Sequence, residues 1–329
     1  MWFRELVGFD ESTAEEVRSR LSVDGDQMTS LVNGRQMGCG FLELPSLAEL
    51  RQRTTTVGDG AGPSRYREIV GDAGALHRDP GNTGATFQAA SQFNLLEMVS
   101  PDVGPDAGVA GYQNDPTQGP ACAVACGAGT IYRNYFVEVN GQPGQTPQSQ
   151  VDCLDGLSRF LFPGGPPAWT MSNGYAMFDR VGLERINRRL GAMGDEERDA
   201  AMAAVRIGVH HLVEVTSSPT GHLVTQAYCS ALPVAYNREP ALLFEPLARL
   251  VLDAAYEATL WAAALNAAET GNRTVFLTMV GGGVFGNQES WIIEAMERAF
   301  RSVPEARLDV AVVSFGRSNP VVRDLVRRV

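Results

Sequence analysis

The sequence predicts an α/β fold in which helices cover both faces of a sheet. Segments with strand and helix patterns alternate from His222 to the end of the chain, and such alternation favours a parallel sheet. The 329 residues are enough for one large α/β domain or two smaller ones. Hydrophobic residues make up 44% and charged residues 20% of the chain, which is typical of a folded globular protein.

The elements follow in two parts. Residues 1–80 are predicted to form an accessory segment packed on the core, with a boundary loop at residues 57–65 and helices at Ser12–Leu21, Ser46–Arg53 and Arg65–Val70. Residues 81–329 are predicted to form the main domain, whose first strand begins near Ala85 and gives way to polar residues at Ser91. Further strands are predicted at Tyr135–Val139, Gly208–Val215, His222–Leu232, Thr274–Val280 and Leu308–Phe315, and helices at Pro120–Tyr132, Val181–Leu190, Asp195–Ile207, Leu243–Ala268, Gln288–Arg301 and the end of the chain.

Charge and composition exclude several classes of function. The net charge is -11 and no run of basic residues occurs, which argues against a nucleic-acid partner. All 27 basic residues are arginine, so Schiff-base chemistry and a P-loop lysine are excluded. Five scattered cysteines without a CxxC pair predict free thiols. The chain begins without a signal-peptide pattern and has no apolar run long enough for a membrane span, so we expect a cytoplasmic protein without a membrane partner.

The most distinctive motif is GGGVFG, Gly281–Gly286, between a predicted strand and a predicted helix. It fits the GxGxxG pattern of dinucleotide-binding folds, but that interpretation requires an acidic residue at the end of the next strand, and the next strand ends in Val313, Ser314 and Phe315. Consecutive amides before a helix can still hold a pyrophosphate without a basic side chain. The alternative is a tight turn where the strand and helix pack closely.

The segment TVFLTMVGGGVFGN resembles the strand, phosphate loop and helix near the end of macrodomains, the ADP-ribose-binding fold. SQFNLLEM, DPTQGPACAVACGAGTIYRNYF and QAYCSALPVAY are most similar to a divergent branch of that superfamily, which includes effector-type hydrolases that remove ADP-ribose from arginine. The resemblance implies a three-layer α/β/α mixed sheet with an N-terminal extension. It also implies that ADP-ribose contacts Gln92, Asn94, Gln118, Gly119, Gly281, Gly282, Gly283, Val284, Phe285, Gly286 and Asn287.

Carboxylates supply the chemical argument for catalysis. Glu97, Asp102, Asp106 and Asp115 lie in a small-residue loop between a predicted strand end and a predicted helix start. Hydrolysis at an anomeric carbon needs one carboxylate to stabilise the oxocarbenium-like transition state and another to manage protons. We rank Asp115 first, then Asp106, then Glu97. Each has a structural alternative, since Asp115 can cap a helix, the Pro-Asp pairs can form turns and Glu97 can be a solvated edge residue.

Two other clusters carry weaker signals. His210, His211, Glu214 and His222 have no metal-site spacing, because adjacent strand residues face opposite sides, so we predict no metal and no cofactor. Cys122 and Cys126 share a helical face with alanines and are predicted to be core thiols.

These features together predict an enzyme that hydrolyses the glycosidic bond between ADP-ribose and a protein side chain, with arginine as the expected linkage. Its partner is ADP-ribose or an ADP-ribosylated protein. Two alternatives stay open: a reader module that binds ADP-ribose without cleaving it, and an enzyme that metabolises NAD or a sugar nucleotide.

Overall fold

The computed structural model describes residues 1–54, 62–303 and 306–329. The helices are α1 (Trp2–Val7), α2 (Ala14–Arg20), α3 (Leu47–Thr54), α4 (Ala73–Arg78), α5 (Gln118–Ala125), α6 (Gly127–Tyr135), α7 (Asp155–Leu161), α8 (Arg180–Gly191), α9 (Asp195–Ala203), α10 (Glu245–Thr270), α11 (Glu289–Ser302) and α12 (Pro320–Arg328). The strands are β1 (Leu21–Asp24), β2 (Gln27–Ser30), β3 (Gln36–Gly38), β4 (Phe41–Glu43), β5 (Arg65–Val70), β6 (Thr86–Ala90), β7 (Glu138–Val139), β8 (Gln142–Pro143), β9 (Thr170–Ser172), β10 (Tyr175–Met177), β11 (Gly208–Glu214), β12 (Leu223–Cys229), β13 (Thr274–Leu277) and β14 (Asp309–Ser314).

A mixed seven-stranded sheet forms the centre of the molecule, in the order β4-β11-β12-β6-β13-β14-β5. Strands β12, β6, β13, β14 and β5 pair in parallel, whereas β11 is antiparallel to both of its neighbours. The connection between β11 and β12 is too short for a crossover helix, so these two strands have to form an antiparallel pair. The predicted α/β fold with a mixed sheet is therefore confirmed.

Both faces of the sheet are covered, as strand alternation shows. Val275 and Leu277 pack into the cluster that contains α10 and α11, whereas Phe276 faces the other cluster together with Phe87 and Cys126. Helices α4, α5 and α6 cover this second face. A third apolar cluster joins the N-terminal residues to the outer side of α5 and α6. The N-terminal segment thus adds a layer over the α5–α6 side of the sheet.

Residues 1–80 also supply both edges of the central sheet, β4 and β5. The prediction of a helix at Arg65–Val70 is wrong, because this segment pairs in parallel with β14 from Arg65 to Val70. Its alternating burial fits a strand, and six residues make too short a helix to persist without a packed apolar face. The predicted boundary loop lies mostly outside the described residues, and the division at residue 80 stays a prediction.

Two other local predictions are wrong. The helix predicted over Pro120–Tyr132 is two helices, α5 and α6, which meet at Cys126, where the Gly127 N–H donates to Thr216 Oγ1 at 2.9 Å. The strand predicted at Tyr135–Val139 begins with the last residue of α6, the buried Tyr135, and continues through a turn at Phe136 and Val137. Only Glu138 and Val139 pair as a strand.

The remaining predicted helices and strands are confirmed, with ends that coincide or shift by up to four residues. The first of them, α2, is capped by Thr13, whose Oγ1 accepts from the Glu16 N–H, and so begins one residue later than a cap at Ser12 implies. Within the described residues, no helix combines the length and apolarity needed to cross a membrane.

Candidate active site

Three neighbouring parallel strands end at the same edge of the sheet. Strands β12, β6 and β13 lie side by side, and residues 230–237, 91–98 and 278–287 follow their carboxyl ends. Ligands of open α/β sheets bind beyond such ends. Both constellations singled out in the sequence, the glycine loop and the acidic segment, therefore meet at one edge.

The glycines of the loop serve different purposes. Gly281 and Gly286 have φ angles of +77° and +74°, and a Cβ at Gly281 would collide with the Ala231 side chain. Gly283 has no neighbouring atom within 4 Å of a Cβ position and does not need a positive φ. Gly281 and Gly286 are thus fixed by the turn, whereas the space over Gly283 is open to a ligand.

The loop also has unused hydrogen-bond donors. Gly282, Gly286 and Asn287 donate their amides to Met279, Gly283 and Gly281 carbonyls at 3.0, 3.1 and 3.0 Å. Within the described chain, four loop amides donate to no protein acceptor: those of Gly281, Gly283, Val284 and Phe285. Val284 is 58% exposed, and helix α11 starts directly after the loop. Exposed amides before a helix are suited to an anion.

Asn287 fastens the loop to the segment that follows β12, on the other side of β6. Its Nδ2 donates to the Leu232 carbonyl at 2.8 Å, and the Ala235 N–H donates to the Phe285 carbonyl at 3.0 Å. The Asn287 Oδ1 is buried and has no hydrogen-bond partner among the described residues. This oxygen is an acceptor that a hydroxyl group or a water molecule could satisfy.

The segment after β6 is a closed turn. Gln92 Oε1 accepts from the Met98 N–H at 2.8 Å, and Gln92 Nε2 donates to the Met98 carbonyl at 3.2 Å. Asn94 accepts from the Leu96 N–H and donates to Gln150 Oε1 at 2.8 Å. Both side chains are engaged in holding the turn, in which Leu95 has a φ of +65°. Their role as ADP-ribose ligands stays a prediction.

Glu97 lies at the end of this turn, in a buried position. It is 2% exposed, and its Oε1 lies 3.6 Å from Arg133 Nη2. Neither of its carboxyl oxygens accepts a hydrogen bond within the described residues. Burial raises the pKa of Glu97 to about 8; the Arg133 charge opposes this shift and the Asp115 charge adds to it. Burial therefore favours the acid form of this carboxyl near neutral pH.

Asp115 lies just before α5, near enough to Glu97 for its charge to raise the pKa of that acid. Its Oδ1 accepts from the Thr117 N–H at 2.8 Å and from Thr117 Oγ1 at 2.6 Å. Its Oδ2 makes no hydrogen bond within the described residues, and the side chain is partly exposed. Asp115 thus holds the turn into α5 through one oxygen and presents the other.

Gly119 and Gln118 begin helix α5. A Cβ at Gly119 would collide with the Ala90 carbonyl and lie 3.7 Å from Glu97 Cγ, so the helix start lies against the end of β6 and the acid. The Gln118 side chain is turned towards α4, where its Oε1 accepts from the Ala73 N–H at 2.7 Å. In this arrangement the backbone at Gly119, rather than the Gln118 amide, is next to the acids.

The other loop acids lie apart from Glu97. Asp106 is exposed on the 3-10 turn Pro105–Ala107 and lies close to Gly104. Asp102 is exposed, and its N–H donates to Ser100 Oγ in a local turn. Among these loop acids it is therefore Asp115 whose charge acts on Glu97, whereas within the described residues Asp106 makes no interaction with either acid.

Three aromatic rings connect the two halves of the site. The Tyr175 ring centroid lies 5.4 Å from that of Phe285 and 5.1 Å from that of Tyr236. Tyr175 Oη donates to the Met98 carbonyl at 2.6 Å, one residue after Glu97. Phe285 of the glycine loop is thus one ring away from the acidic turn.

Sequence reasoning missed Tyr175, Tyr236 and Arg133. Arg133 is the sole charged residue between Asp115 and Glu138, and a single charge in an apolar stretch is a usable signal of a buried ion. Tyr175 follows the Asn-Gly pair of the β9–β10 hairpin, which signals a turn but no site. Tyr236 ends the QAYCSALPVAY segment, in which nothing marks it as a site residue.

The histidine cluster and the cysteine pair singled out in the sequence both make ordinary structural contacts. His210 Nδ1 lies 3.4 Å from Arg133 Nη1, whereas His211 pairs with Glu43 at 2.9 Å and His222 with Thr220. No group of three or more potential metal ligands occurs among the described residues. Cys122 and Cys126 are buried and unpaired, so their prediction as core thiols is confirmed.

No protein-family model matches the chain, and no curated protein is similar enough in sequence to count as a relative. Among solved structures, the chain is similar to the poly(ADP-ribose) glycohydrolase from Thermomonospora curvata, at 13% identity over 96% of each chain with a TM-score of 0.42. It is also similar to the poly(ADP-ribose) glycohydrolase from Deinococcus radiodurans in complex with ADP-ribose, at 12% identity over 87% of this chain and 93% of that chain, again with a TM-score of 0.42. These similarities are too distant to assign a function, which has to come from the residues of the site.

Proposed function

We propose that this protein is an ADP-ribosyl hydrolase that cleaves the glycosidic bond between ADP-ribose and a protein side chain. One observation carries the proposal: an exposed loop with four unused amides and a pair of carboxyl groups meet at the ends of three adjacent strands. The first is suited to a diphosphate and the second to an anomeric carbon. Arginine is the proposed linkage, on the resemblance of the DPTQGP and SQFNLLEM segments to arginine-directed hydrolases.

In this proposal the loop Gly281–Asn287 binds the diphosphate and the proximal ribose. The start of α5, at Gln118 and Gly119, contacts the distal ribose, whose anomeric carbon then faces the acids. Phe285 and Tyr175 lie between these two parts of the ligand. In this loop, backbone amides rather than basic side chains hold the diphosphate. An acidic chain without a basic patch can therefore still bind this anion.

The two acids have complementary environments for the reaction. Asp115 is partly exposed and has a free oxygen, so we assign it to the attacking water and to the developing positive charge. As the water oxygen bonds to the anomeric carbon, the glycosidic bond breaks and its electron pair goes to the departing side-chain atom. Asp115 takes the proton of the water, Glu97 in its acid form gives one to the departing atom, and a proton passes between the two acids before the next turnover. We therefore propose Glu97 as the catalytic partner of Asp115, a role for which the sequence ranking favoured Asp106.

A substrate panel tests the proposal. The purified protein is incubated with peptides ADP-ribosylated at arginine or at serine, with poly(ADP-ribose) and with NAD, and release of ADP-ribose is measured. Calorimetric titrations with ADP-ribose, AMP and NAD run in parallel. We expect ADP-ribose to bind more tightly than AMP and NAD, and the arginine-linked peptide to be cleaved. Binding without cleavage of any substrate would identify a reader module, and turnover of NAD alone would identify a nucleotide-metabolising enzyme.

A further inference from the structure

The N-terminal segment contacts the backbone just ahead of Asp115. Glu11, in the loop between α1 and α2, accepts three hydrogen bonds from outside that segment. Its Oε1 accepts from the Val109 N–H at 2.8 Å and from Tyr135 Oη at 2.7 Å, and its Oε2 accepts from the Ala110 N–H at 2.7 Å. A carboxylate bound by two successive amides fixes the backbone direction at this point.

A second side chain of the same segment reaches the same residue. Trp2 Nε1 donates to the Ala110 carbonyl at 3.2 Å, and the Trp2 N–H donates to Gln113 Oε1 at 3.2 Å. Ala110 is thus held at its amide by Glu11 and at its carbonyl by Trp2. Gly108 has a φ of +78°, and a Cβ there would collide with the Glu11 carboxylate. Only a glycine at this position therefore allows the N-terminal segment to approach this closely.

The held residue is the first of the 3-10 turn Ala110–Asn114, which connects to both acids. The Asp115 N–H donates to the Tyr112 carbonyl at 3.1 Å, which closes the turn. Tyr112 Oη accepts from the Glu97 N–H at 3.1 Å. A shift at Ala110 would therefore move Asp115 through the backbone and Glu97 through the Tyr112 ring.

We infer that Glu11 is a positioning residue: with Trp2 it forms a brace, donated by the N-terminal segment, that sets Asp115 and Glu97 relative to each other. The catalytic part of this inference rests on the proposed function. Within the described residues the brace makes no contact with the glycine loop, so we expect its loss to reduce hydrolysis much more than the binding of ADP-ribose. A misplacement of about 1 Å at a reacting group can reduce a rate by about 100-fold.

The test compares Glu11→Gln with Glu5→Gln, an exposed acid on α1 whose recorded partner is the N-terminal amine. Gln keeps the size of the side chain but puts an amide nitrogen opposite one of the donors. In Glu11→Gln we expect faster hydrogen–deuterium exchange over residues 109–115, a fall in kcat of about 10-fold or more, and an ADP-ribose Kd within about twofold of wild type. Glu5→Gln should match wild type in all three.

The outcomes separate the brace from the function. Unchanged exchange in Glu11→Gln overturns the brace, whatever the activity. Faster exchange with unchanged hydrolysis overturns the catalytic role of the brace. If the wild-type protein cleaves no substrate, the proposed function is wrong, but faster exchange in Glu11→Gln would still support the brace as a structural contact. If Glu11→Gln does not fold, Trp2→Phe keeps most of the ring packing, removes the donor to Ala110, and should raise the exchange and lower kcat in the same direction.

Discussion

The glycine loop and the acidic turn lie at adjacent strand ends but are built in opposite ways. The loop of Gly281–Asn287 is exposed at Gly282, Gly283, Val284 and Gly286, and four of its amides donate to no acceptor among the described residues. In the turn of Gln92–Met98, the side chains of Gln92 and Asn94 accept hydrogen bonds from backbone amides of the same turn. The turn also buries Glu97 against Arg133. The first has the construction of a binding element, which keeps its donors for a ligand, and the second that of a preorganised catalytic element.

This difference implies that binding and hydrolysis can be separated by mutation. Changes in the loop should weaken ADP-ribose binding and leave the acids intact. Changes in the acidic turn or at Asp115 should reduce hydrolysis and leave binding intact.

Asp115→Asn should give the largest effect. The amide preserves the contact with Thr117 through one oxygen but removes the negative charge that we assign to the anomeric carbon. We expect kcat for the arginine-linked peptide to fall by about 10²- to 10⁴-fold, the usual contribution of a general acid or base, while the ADP-ribose Kd changes little. Asp102→Asn, in an exposed turn of the same loop, is the matched control and should keep wild-type activity. Undiminished hydrolysis in Asp115→Asn would remove Asp115 from the mechanism.

The raised pKa of Glu97 predicts that the free energy of unfolding depends on pH. Its pKa rises from an ordinary 4.5 to about 8 on folding, so between these values the folded state binds a proton that the unfolded state has lost. Stability contributed by the acid form is complete below pH 4.5 and is lost as pH rises to 8, by about 1.4 kcal/mol for each unit. Arg133 lies 3.6 Å from this carboxyl, and the carboxyl also interacts electrostatically with Asp115 and Tyr112.

Glu97→Gln, which mimics the acid form, removes that dependence. Urea unfolding at pH 5, 6, 7 and 8 should show a smaller fall in the free energy of unfolding for the variant than for wild type. The two proteins should be most alike at pH 5. Parallel pH profiles would show that Glu97 is ionised in the folded protein. Hydrolysis by wild type should also decline above pH 8, where the acid form is lost.

Gly283→Ala tests the loop alone. The added methyl group meets no protein atom within 4 Å, so folding should be unaffected, but it would occupy the space we assign to the diphosphate. We expect the ADP-ribose Kd to rise by about tenfold or more, equivalent to about 1.4 kcal/mol, without a change in melting temperature. Gly191→Ala, at an equally open position at the end of α8, is the matched control.

Within the glycine loop, Gly281 and Gly283 should respond differently to substitution by alanine. Gly281→Ala places a side chain at a positive φ, which costs about 1 to 2 kcal/mol, and collides with Ala231, so it should lower the melting temperature before any effect on binding is considered. Equal ADP-ribose affinity in Gly283→Ala and wild type would show that the ligand does not approach this glycine.

The same contrast explains what the sequence could reveal. The glycine loop is a local pattern, in which strand, turn and helix are consecutive, so its position follows from residues 274–302, and these residues also carry the proposal of its ligand class. The long helix α10 and the strands around it follow from periodicity for the same reason. The edge strand β5 does not, because whether Arg65–Val70 forms a helix or a strand is decided by its pairing with β14, which is distant in the chain.

The pairing of the acids is equally nonlocal. Glu97 and Asp115 are separated by 18 positions in the chain, and what joins them is the contact of Gly119 with the end of β6 and the ring of Tyr112. Sequence ranked Asp106 above Glu97 because spacing gives no measure of burial, and the raised pKa of Glu97 exists only after the core around Arg133 has closed.

The smallest expected effect is at the junction between the two regions, Tyr175→Phe. The change removes the hydroxyl that donates to the Met98 carbonyl at 2.6 Å but keeps the ring against Phe285. Loss of such a hydrogen bond should lower the free energy of unfolding by about 1 kcal/mol. Tyr66→Phe removes a comparable bond, from Tyr66 Oη to the Phe300 carbonyl at 3.2 Å, away from the site.

Both variants should therefore lose similar stability in urea unfolding, and their catalytic behaviour should differ. Tyr175→Phe loosens the residue next to Glu97, so it should also lower kcat severalfold while ADP-ribose affinity stays near wild type. Tyr66→Phe should leave kcat unchanged. If the two variants have the same kcat, the ring of Tyr175 only fills space between the loop and the turn. If Tyr175→Phe instead weakens binding and spares kcat, then Tyr175 belongs to the binding element, and the boundary between the two regions lies on the Glu97 side of this ring.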